Sequence, residues 1–300
     1  MTVVPRIQIS ADGPSFSNLV QGYWRLADWN MTVQQRLSFL KGHVELGITS
    51  VDHAHIYGNP SCESLFGEAL KLDPPLRDEI EIISKCGIAT AQTGKVAHYN
   101  LNKSAILSSV ETSLKRLGTD YLDALLLHRP DFLMNADEIA ESFDRLKQQG
   151  KVKYFGVSNF TSAQFSLLQS RLDFALVTNQ IEINPVNLDI FEDGILEDLQ
   201  RMRIRPMAWS CLGGGEIFRD KSTRFVSLRK SLHEVAAEIG AGSIDQVIYA
   251  WVMKIPSMPV PLLGSRSITR VKAAAASLSL AMENEQWYRI WSASKGQAVP

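Results

Sequence analysis

"AILSSVETSLKRLGTDYLDALLLHR", residues 105–129, holds one full unit of the pattern that organises this chain. In its first half Ile106, Val110, Leu114 and Leu117 recur three or four residues apart, so they share one face of a helix. Gly118 then offers the left-handed position that ends it. The second half, "LDALLLHR", is a short apolar run of strand length. Working outward, seven more strand-like runs appear: "SNLVQGYW", "ITSVDHAH" and "IEIISKCG" before it, then "VKYFGVSN", "ALVTNQIEIN", "RPMAWSCL" and "MPVPLLGS" after it. Helical spacing returns between them. "DEIAESFDRLKQQG" carries Ile139, Phe143 and Leu146 on one face with Gly150 closing it, and "FEDGILEDLQRM" is expected to be the helix after the sixth strand.

Parallel strands joined by crossover helices wind right-handed, and eight units of roughly 30 residues close into a (β/α)8 TIM barrel. Residues 1–300 are therefore expected to form a single α/β barrel domain. The competing layout is an open doubly wound sheet. A dinucleotide-binding version needs a glycine fingerprint after the first strand, and "QGYWRLADW" has none. "RIQISADGPSF" alternates around Asp12-Gly13, which suits an N-terminal β-hairpin capping the barrel floor.

Thirty-one basic against 32 acidic side chains, with no long run of one sign, give no electrostatic footprint for nucleic acid or an anionic membrane. A small-molecule partner is expected instead. Cys62, Cys86 and Cys211 are odd in number and far apart, which fits a reduced compartment better than a disulfide framework. "MTVVPRIQIS" lacks the layout of a secretion signal, and no apolar run reaches the roughly 18 residues of a membrane span. The expected location is the cytoplasm.

Chemistry in such a barrel sits at the C-terminal ends of the strands. The second strand ends with Asp52 and leads to Tyr57, the third ends with Lys85 and the fourth with His128. Later ends offer Ser158 and Asn159, then Gln180, then Trp209 and Ser210, then Gly264, Ser265 and Arg266. A phenol with an ordinary pKa of about 10 donates protons poorly near neutrality, and a lysine beside it lowers that value. Lys85 is the natural tuner of Tyr57, and Asp52 its counter-charge. His128 is suited to orienting a carbonyl oxygen or to assisting proton transfer. A general acid with no resident nucleophile points to reduction by an external hydride donor. The bland alternatives are a rim tyrosine, a core histidine and a structural ion pair. A sharper rival is the pair His53-Ala54-His55 as metal ligands, but the later strand ends supply no further histidine or aspartate, so no metal is expected. His53 is read as packed beneath the loop and His55 as a rim residue at the substrate mouth. Trp24 is a pocket wall or ordinary core, and Trp29 and the Asp131–Leu133 region suggest an aromatic-lined mouth.

Over nearly its whole length the sequence resembles the aldo-keto reductases. "VDHAHIYG" is similar to the family's Asp-x-Ala-x-x-Tyr-Gly element, and "SVETSLKRLGTDYLDALLLHRPD" to the long segment leading into its histidine-bearing strand. "GKVKYFGVSNF", "TNQIEINP" and "AWSCLGGG" look like the cofactor-side segments that follow. The resemblance implies an NADPH-dependent reductase of aldehydes or ketones, usually a monomer, with Asp52, Tyr57, Lys85 and His128 as the catalytic tetrad. An NADPH-binding redox sensor or regulatory subunit with little turnover is the alternative on the same barrel. The resemblance also implies that Ser158, Asn159 and Gln180 hold the nicotinamide carboxamide and that Trp209 stacks on the ring. Ser210, Cys211, Leu212 and Gly264 complete the cofactor path, with Ser265, Arg266 and Arg270 at the 2′-phosphate and Ser267 as the cap of a phosphate-facing helix. Trp24 and His55 would line the substrate site. Ala273 and Ala274 depart from the family's Glu-Asn pair at adenine. The glycine-rich start of "CLGGGEIFRDKSTRF" is either a close backbone approach to pyrophosphate or a moving lid.

Overall fold

The strand-helix alternation resolves into a closed ring. The computed structural model describes residues 3–300. Strands β1 (Arg6–Gln8) and β2 (Ser15–Ser17) pair antiparallel as a hairpin, with Ile7 opposite Phe16. Eight strands then run parallel: β3 (Val20–Gly22), β4 (Ser50–Asp52), β5 (Glu81–Cys86), β8 (Leu122–Leu127), β9 (Val152–Ser158), β10 (Asn179–Glu182), β11 (Met207–Trp209) and β12 (Val260–Leu263), which returns to β3. Between β5 and β8 a two-residue ribbon, β6 (Ile88–Ala89) with β7 (His98–Tyr99), stands over the mouth side. The helices are α1 (Val33–Val44), α2 (Cys62–Leu70), α3 (Lys103–Leu117), α4 (Ala136–Gln148), α5 (Ser162–Gln169), α6 (Ile195–Arg201), α7 (Glu216–Arg219), α8 (Thr223–Ile239), α9 (Ile244–Met253), α10 (Ile268–Ala276) and α11 (Asn284–Lys295). The (β/α)8 barrel and its hairpin are thus as the sequence implied.

Two packed zones hold the ring. Inside it, Val20, Ile83, Ala124, Leu126, Met207 and Val260 meet Ile9 and Phe16 of the hairpin, so the floor is plugged by apolar side chains. Outside it, the inner faces of the helices pack on the outward strand residues; Ile106, Val110 and Leu117 of α3 are fully buried there. α3 starts where Asn102 accepts the Ala105 amide at 2.9 Å and stops at Gly118, whose φ of +67° is the left-handed turn expected from its sequence. Gly67 has a different use. A Cβ there would lie 2.2 Å from the Arg116 carbonyl, so the missing side chain lets α2 lie against the end of α3.

Two expectations change. The helix expected over "FEDGILEDLQRM" is shorter: Gly194, at φ +80°, interrupts it, and α6 restarts at Ile195, whose amide donates to the Asp193 carboxylate at 2.9 Å. Trp29 is core and not mouth, with its ring 5.6 Å from Tyr23 and 5.5 Å from Phe39, because the short helical turn Leu26–Trp29 folds it inward. Among the described residues no helix is long and apolar enough to cross a membrane.

His43 sits fully buried in that aromatic core. Its Nδ1–H donates to the Ile48 carbonyl at 2.7 Å while Nε2 accepts from the Tyr23 hydroxyl at 2.8 Å, which fixes one neutral tautomer. Burial, only partly opposed by the Ile48 bond, lowers its pKa to about 4. A folded pKa below the unfolded value means that the unfolded chain binds the extra proton. The resulting stability is complete above pH 6.5 and is lost progressively as the pH falls toward 4. Denaturant unfolding should therefore show about 2 kcal/mol of acid loss traceable to this ring between pH 7 and 4.5. His43→Gln should lower stability at pH 7 and flatten the slope, and an unchanged slope would contradict the assignment.

Candidate active site

Ring order places Asp52, at the end of β4, next to Lys85 on β5, and His128 directly follows β8 on the far side of Lys85. The loop after β4 bends back through a Tyr57 amide bond to the Ala54 carbonyl, which brings the phenol over Lys85. The Lys85 ammonium is entirely enclosed, and its three donors are all occupied: Asp52 Oδ2 at 2.7 Å, the His53 carbonyl at 2.9 Å and the Tyr57 hydroxyl oxygen at 2.9 Å. Asp52 is equally committed, since its Oδ1 accepts from Gln180 Nε2 at 2.8 Å. Burial pulls the Lys85 pKa below its ordinary value, and the Asp52 carboxylate pushes back. That pairing keeps a buried cation tolerable.

The net shift of the phenol's pKa is upward, where the expectation above was a lowered value. Burial first, then the Asp52 charge, raise Tyr57 well above its ordinary value, with Arg129 opposing and Cys62 adding slightly. The resting phenol is therefore protonated throughout the neutral range. Lys85 also orients it: because the ammonium donates to the phenol oxygen, the phenol's own proton must point elsewhere. The His128 ring meets Tyr57 edge-on with centroids 5.7 Å apart. Burial, then the charges of Lys85, His55 and Arg129, lower the His128 pKa to about 2, so it is neutral. Its Nδ1 is buried without a hydrogen-bond partner among the described residues, so Nε2 is the nitrogen through which the ring can meet a ligand.

On the next strands a relay orients an indole. Trp209 Nε1–H donates to Asn159 Oδ1 at 3.0 Å, Asn159 Nδ2 to Ser158 Oγ at 2.8 Å, and Ser158 Oγ to the Gln180 carbonyl at 2.8 Å. Asn159 is left-handed, at φ +59°, which an asparagine tolerates. Across the mouth Ser265 Oγ accepts the Ser267 amide at 3.1 Å, and Arg266 Nη1 donates to the Trp29 carbonyl at 2.9 Å. Arg270 is exposed with no carboxylate in ion-pair contact among the described residues. The flat indole, the neighbouring amide groups and the exposed cation of α10 are of the kinds that fit a nicotinamide dinucleotide phosphate.

Several residues expected in the site stand elsewhere or act otherwise. One N–H of the Gln180 amide is committed to Asp52, so the group is a wall of the lysine site as well as a neighbour of the mouth. Cys211 is buried, and its thiol donates to the Ala208 carbonyl with a pKa pushed up to about 12 by burial. Its side chain is therefore turned away from the mouth. Ser267 stands at the start of α10 without a capping bond from its hydroxyl. His55 is clamped by the Lys85 and Ile88 carbonyls, each 2.8 Å from a ring nitrogen, so it ties the Tyr57 loop to β6 and has no nitrogen left for substrate. Trp24 is 63% exposed at the rim, with Arg25 over its ring. Ala274 lies on the buried face of α10 and is not exposed to adenine. His53 is buried, stacked on Tyr23 at 5.0 Å. Among the described residues no cluster of His, Cys, Asp or Glu is arranged to hold a metal. In the glycine-rich loop the amides of Gly213, Gly214 and Gly215 donate to the Ser210 carbonyl, Ser210 Oγ and the Leu212 carbonyl. They are not free for pyrophosphate in this conformation.

Residue-by-residue reading also passed over a supporting frame. Buried Glu63 accepts from Ser84 Oγ at 2.7 Å and lies 3.7 Å from Arg116, whose Nη1 donates to the His55 carbonyl at 3.1 Å. Nothing in the sequence spacing of Glu63, eleven residues after Asp52, announces that it faces β5 and α3.

A barrel with this buried Asp-Lys-Tyr-His constellation defines a class. The chain belongs to the aldo/keto reductase family, whose model matches residues 18–295. It is 55% identical to the oxidoreductase YdhF of Escherichia coli, over 99% of this chain and 100% of that protein. It is 39% identical to a 6-dehydroglucose reductase of Agrobacterium fabrum, over 98% of this chain and 99% of the relative. Its fold matches the thermostable aldo-keto reductase Tm1743, solved with the inhibitor epalrestat. The TM-score is 0.82 at 25% identity, over 96% of this chain and 99% of that one.

The Gln180–Asp52 bond predicts a specific lesion. Gln180→Leu leaves a buried carboxylate oxygen without its donor, which should cost about 1–3 kcal/mol in urea unfolding. No change in stability would show that Asp52 does not depend on Gln180.

Proposed function

We propose that this protein reduces an aldehyde or ketone to an alcohol at the expense of NADPH, with Tyr57 as the proton donor. The observation that carries this reading is the saturation of Lys85. With its donors fixed on Asp52, the His53 carbonyl and the Tyr57 oxygen, the phenol's proton is left for a ligand above it. The neutral His128, with Nε2 open, holds the carbonyl oxygen by hydrogen bonding and does not itself donate a charge-bearing proton. When bound, NADPH supplies the hydride that the carbonyl carbon accepts. As negative charge reaches the carbonyl oxygen, Tyr57 transfers its proton there, and the phenolate left behind is stabilised by the ammonium already donating to it. The alcohol leaves and solvent reprotonates the phenolate.

Trp209, oriented by Asn159, is the proposed platform for the nicotinamide, and Ser158, Asn159 and the Gln180 oxygen are its proposed polar partners. Arg270, with Ser265 and Arg266, is the proposed grip on the 2′-phosphate. The Agrobacterium relative is named for a sugar carbonyl, which supports a small polar carbonyl compound here.

The direct test is NADPH oxidation by the purified protein with activated aldehydes and diketones, beside Tyr57→Phe. The phenol's loss should lower the rate by about 10²–10⁴-fold with NADPH binding retained. Parent-level turnover in the variant would remove Tyr57 from the mechanism, and tight NADPH binding with no turnover in the parent would favour a sensor. Separately, Arg270→Ala should raise the dissociation constant for NADPH much more than that for NADH. Equal weakening of both would sink the 2′-phosphate assignment.

A further inference from the structure

We propose that Arg129 is a specificity-determining residue that anchors a carboxylate on the substrate, so that the preferred carbonyl compound is a short oxo acid. The proposal rests on the reductase reading above and names the substrate class of that same site. Arg129 directly follows His128 at the end of β8. In the ring, β8 and β11 are separated by β9 and β10, yet the Arg129 guanidinium carbon lies 5.6 Å from the centre of the Trp209 ring on β11. The side chain therefore reaches over the mouth and does not fall outward into solvent. Its charge is felt by both groups that must face the carbonyl: it opposes the rise in the Tyr57 pKa and contributes to the fall in that of His128.

No carboxylate among the described residues neutralises that charge. Among the described residues Arg129 forms no ion pair, and the nearby acids at the strand ends are engaged elsewhere. Asp52 holds Lys85 and Gln180, Asp131 accepts the Leu101 and Leu133 amides, and Glu182 accepts from Asn184. Cofactor phosphate is a poor candidate for the missing partner. The proposed phosphate grip follows β12, four places from β8 in a ring of eight and hence diametrically across it. A half-buried guanidinium without a counter-ion, beside a reacting carbonyl, matches a planar carboxylate in shape and charge. The partial exclusion of water strengthens that pairing.

The test compares succinic semialdehyde with its methyl ester, which differ at the charged end only, using NADPH and the parent, Arg129→Met and Arg129→Lys proteins. The parent should prefer the acid in kcat/KM by about 10- to 100-fold, the factor a charge-assisted hydrogen bond supplies. Arg129→Met should bring that ratio near unity, chiefly through KM for the acid, and Arg129→Lys should keep part of it. A parent that reduces the ester, or an uncharged sugar aldehyde, as well as the acid overturns the proposal and leaves the reductase reading intact. So does an Arg129→Met protein that slows acid and ester equally, because the charge would then serve the reaction and not selection. Weakened NADPH binding at an unchanged ratio likewise overturns it. Failure of the parent on every carbonyl compound, charged or neutral, removes the reductase reading itself.

Discussion

An ammonium group with no water around it is the constraint the rest of the site obeys. A lysine enclosed as Lys85 is would lose its proton unless an anion and further acceptors met it, and the barrel supplies all three from one neighbouring segment. Asp52 terminates β4, the His53 carbonyl follows it, and Tyr57 returns on the loop. The crowding of chemistry between Asp52 and Tyr57 is thus the footprint of a single cation's coordination. Gln180 extends the same requirement to the opposite wall by satisfying the other oxygen of Asp52.

The fold makes that arrangement rigid. Strand ends of a closed ring cannot shift independently, and the hairpin residues Ile9 and Phe16 fill the floor so that the interior is solid beneath the reactive layer. Outside the ring, Glu63, Ser84 and Arg116 connect α2, β5 and α3 to the backbone of His55, so the Tyr57 loop is fastened from both sides. Side chains that sequence suggests as ligands of substrate, notably His55, serve this fastening instead.

What was legible in the sequence follows from which signals are local. Helical spacing in "AILSSVETSLKRLG" and short apolar runs at regular intervals record one-sided and two-sided burial, so the barrel could be read from them, as could the strand ends that carry Asp52, Lys85 and His128. Gly118 announced a helix end because its conformation is local too. Gly194 does not announce itself as a helix break, because a glycine inside a run of helical spacing can sit in either the helical or the left-handed region. The directions of Cys211, Trp29 and His55, and the Gln180–Asp52 bond, are set by contacts between distant segments, which no spacing encodes. The sign of the Tyr57 shift is not legible in the sequence for a related reason: the degree of enclosure, its largest cause, is a property of the assembled mouth.

The central claim is that Lys85 holds the Tyr57 oxygen so that the phenol's proton serves the carbonyl. Its most direct test is Lys85→Met assayed for both NADPH binding and carbonyl reduction. The account predicts that cofactor affinity survives while turnover falls by about two or more orders of magnitude. Turnover at the parent's rate, with the protein folded and the cofactor bound, would contradict it.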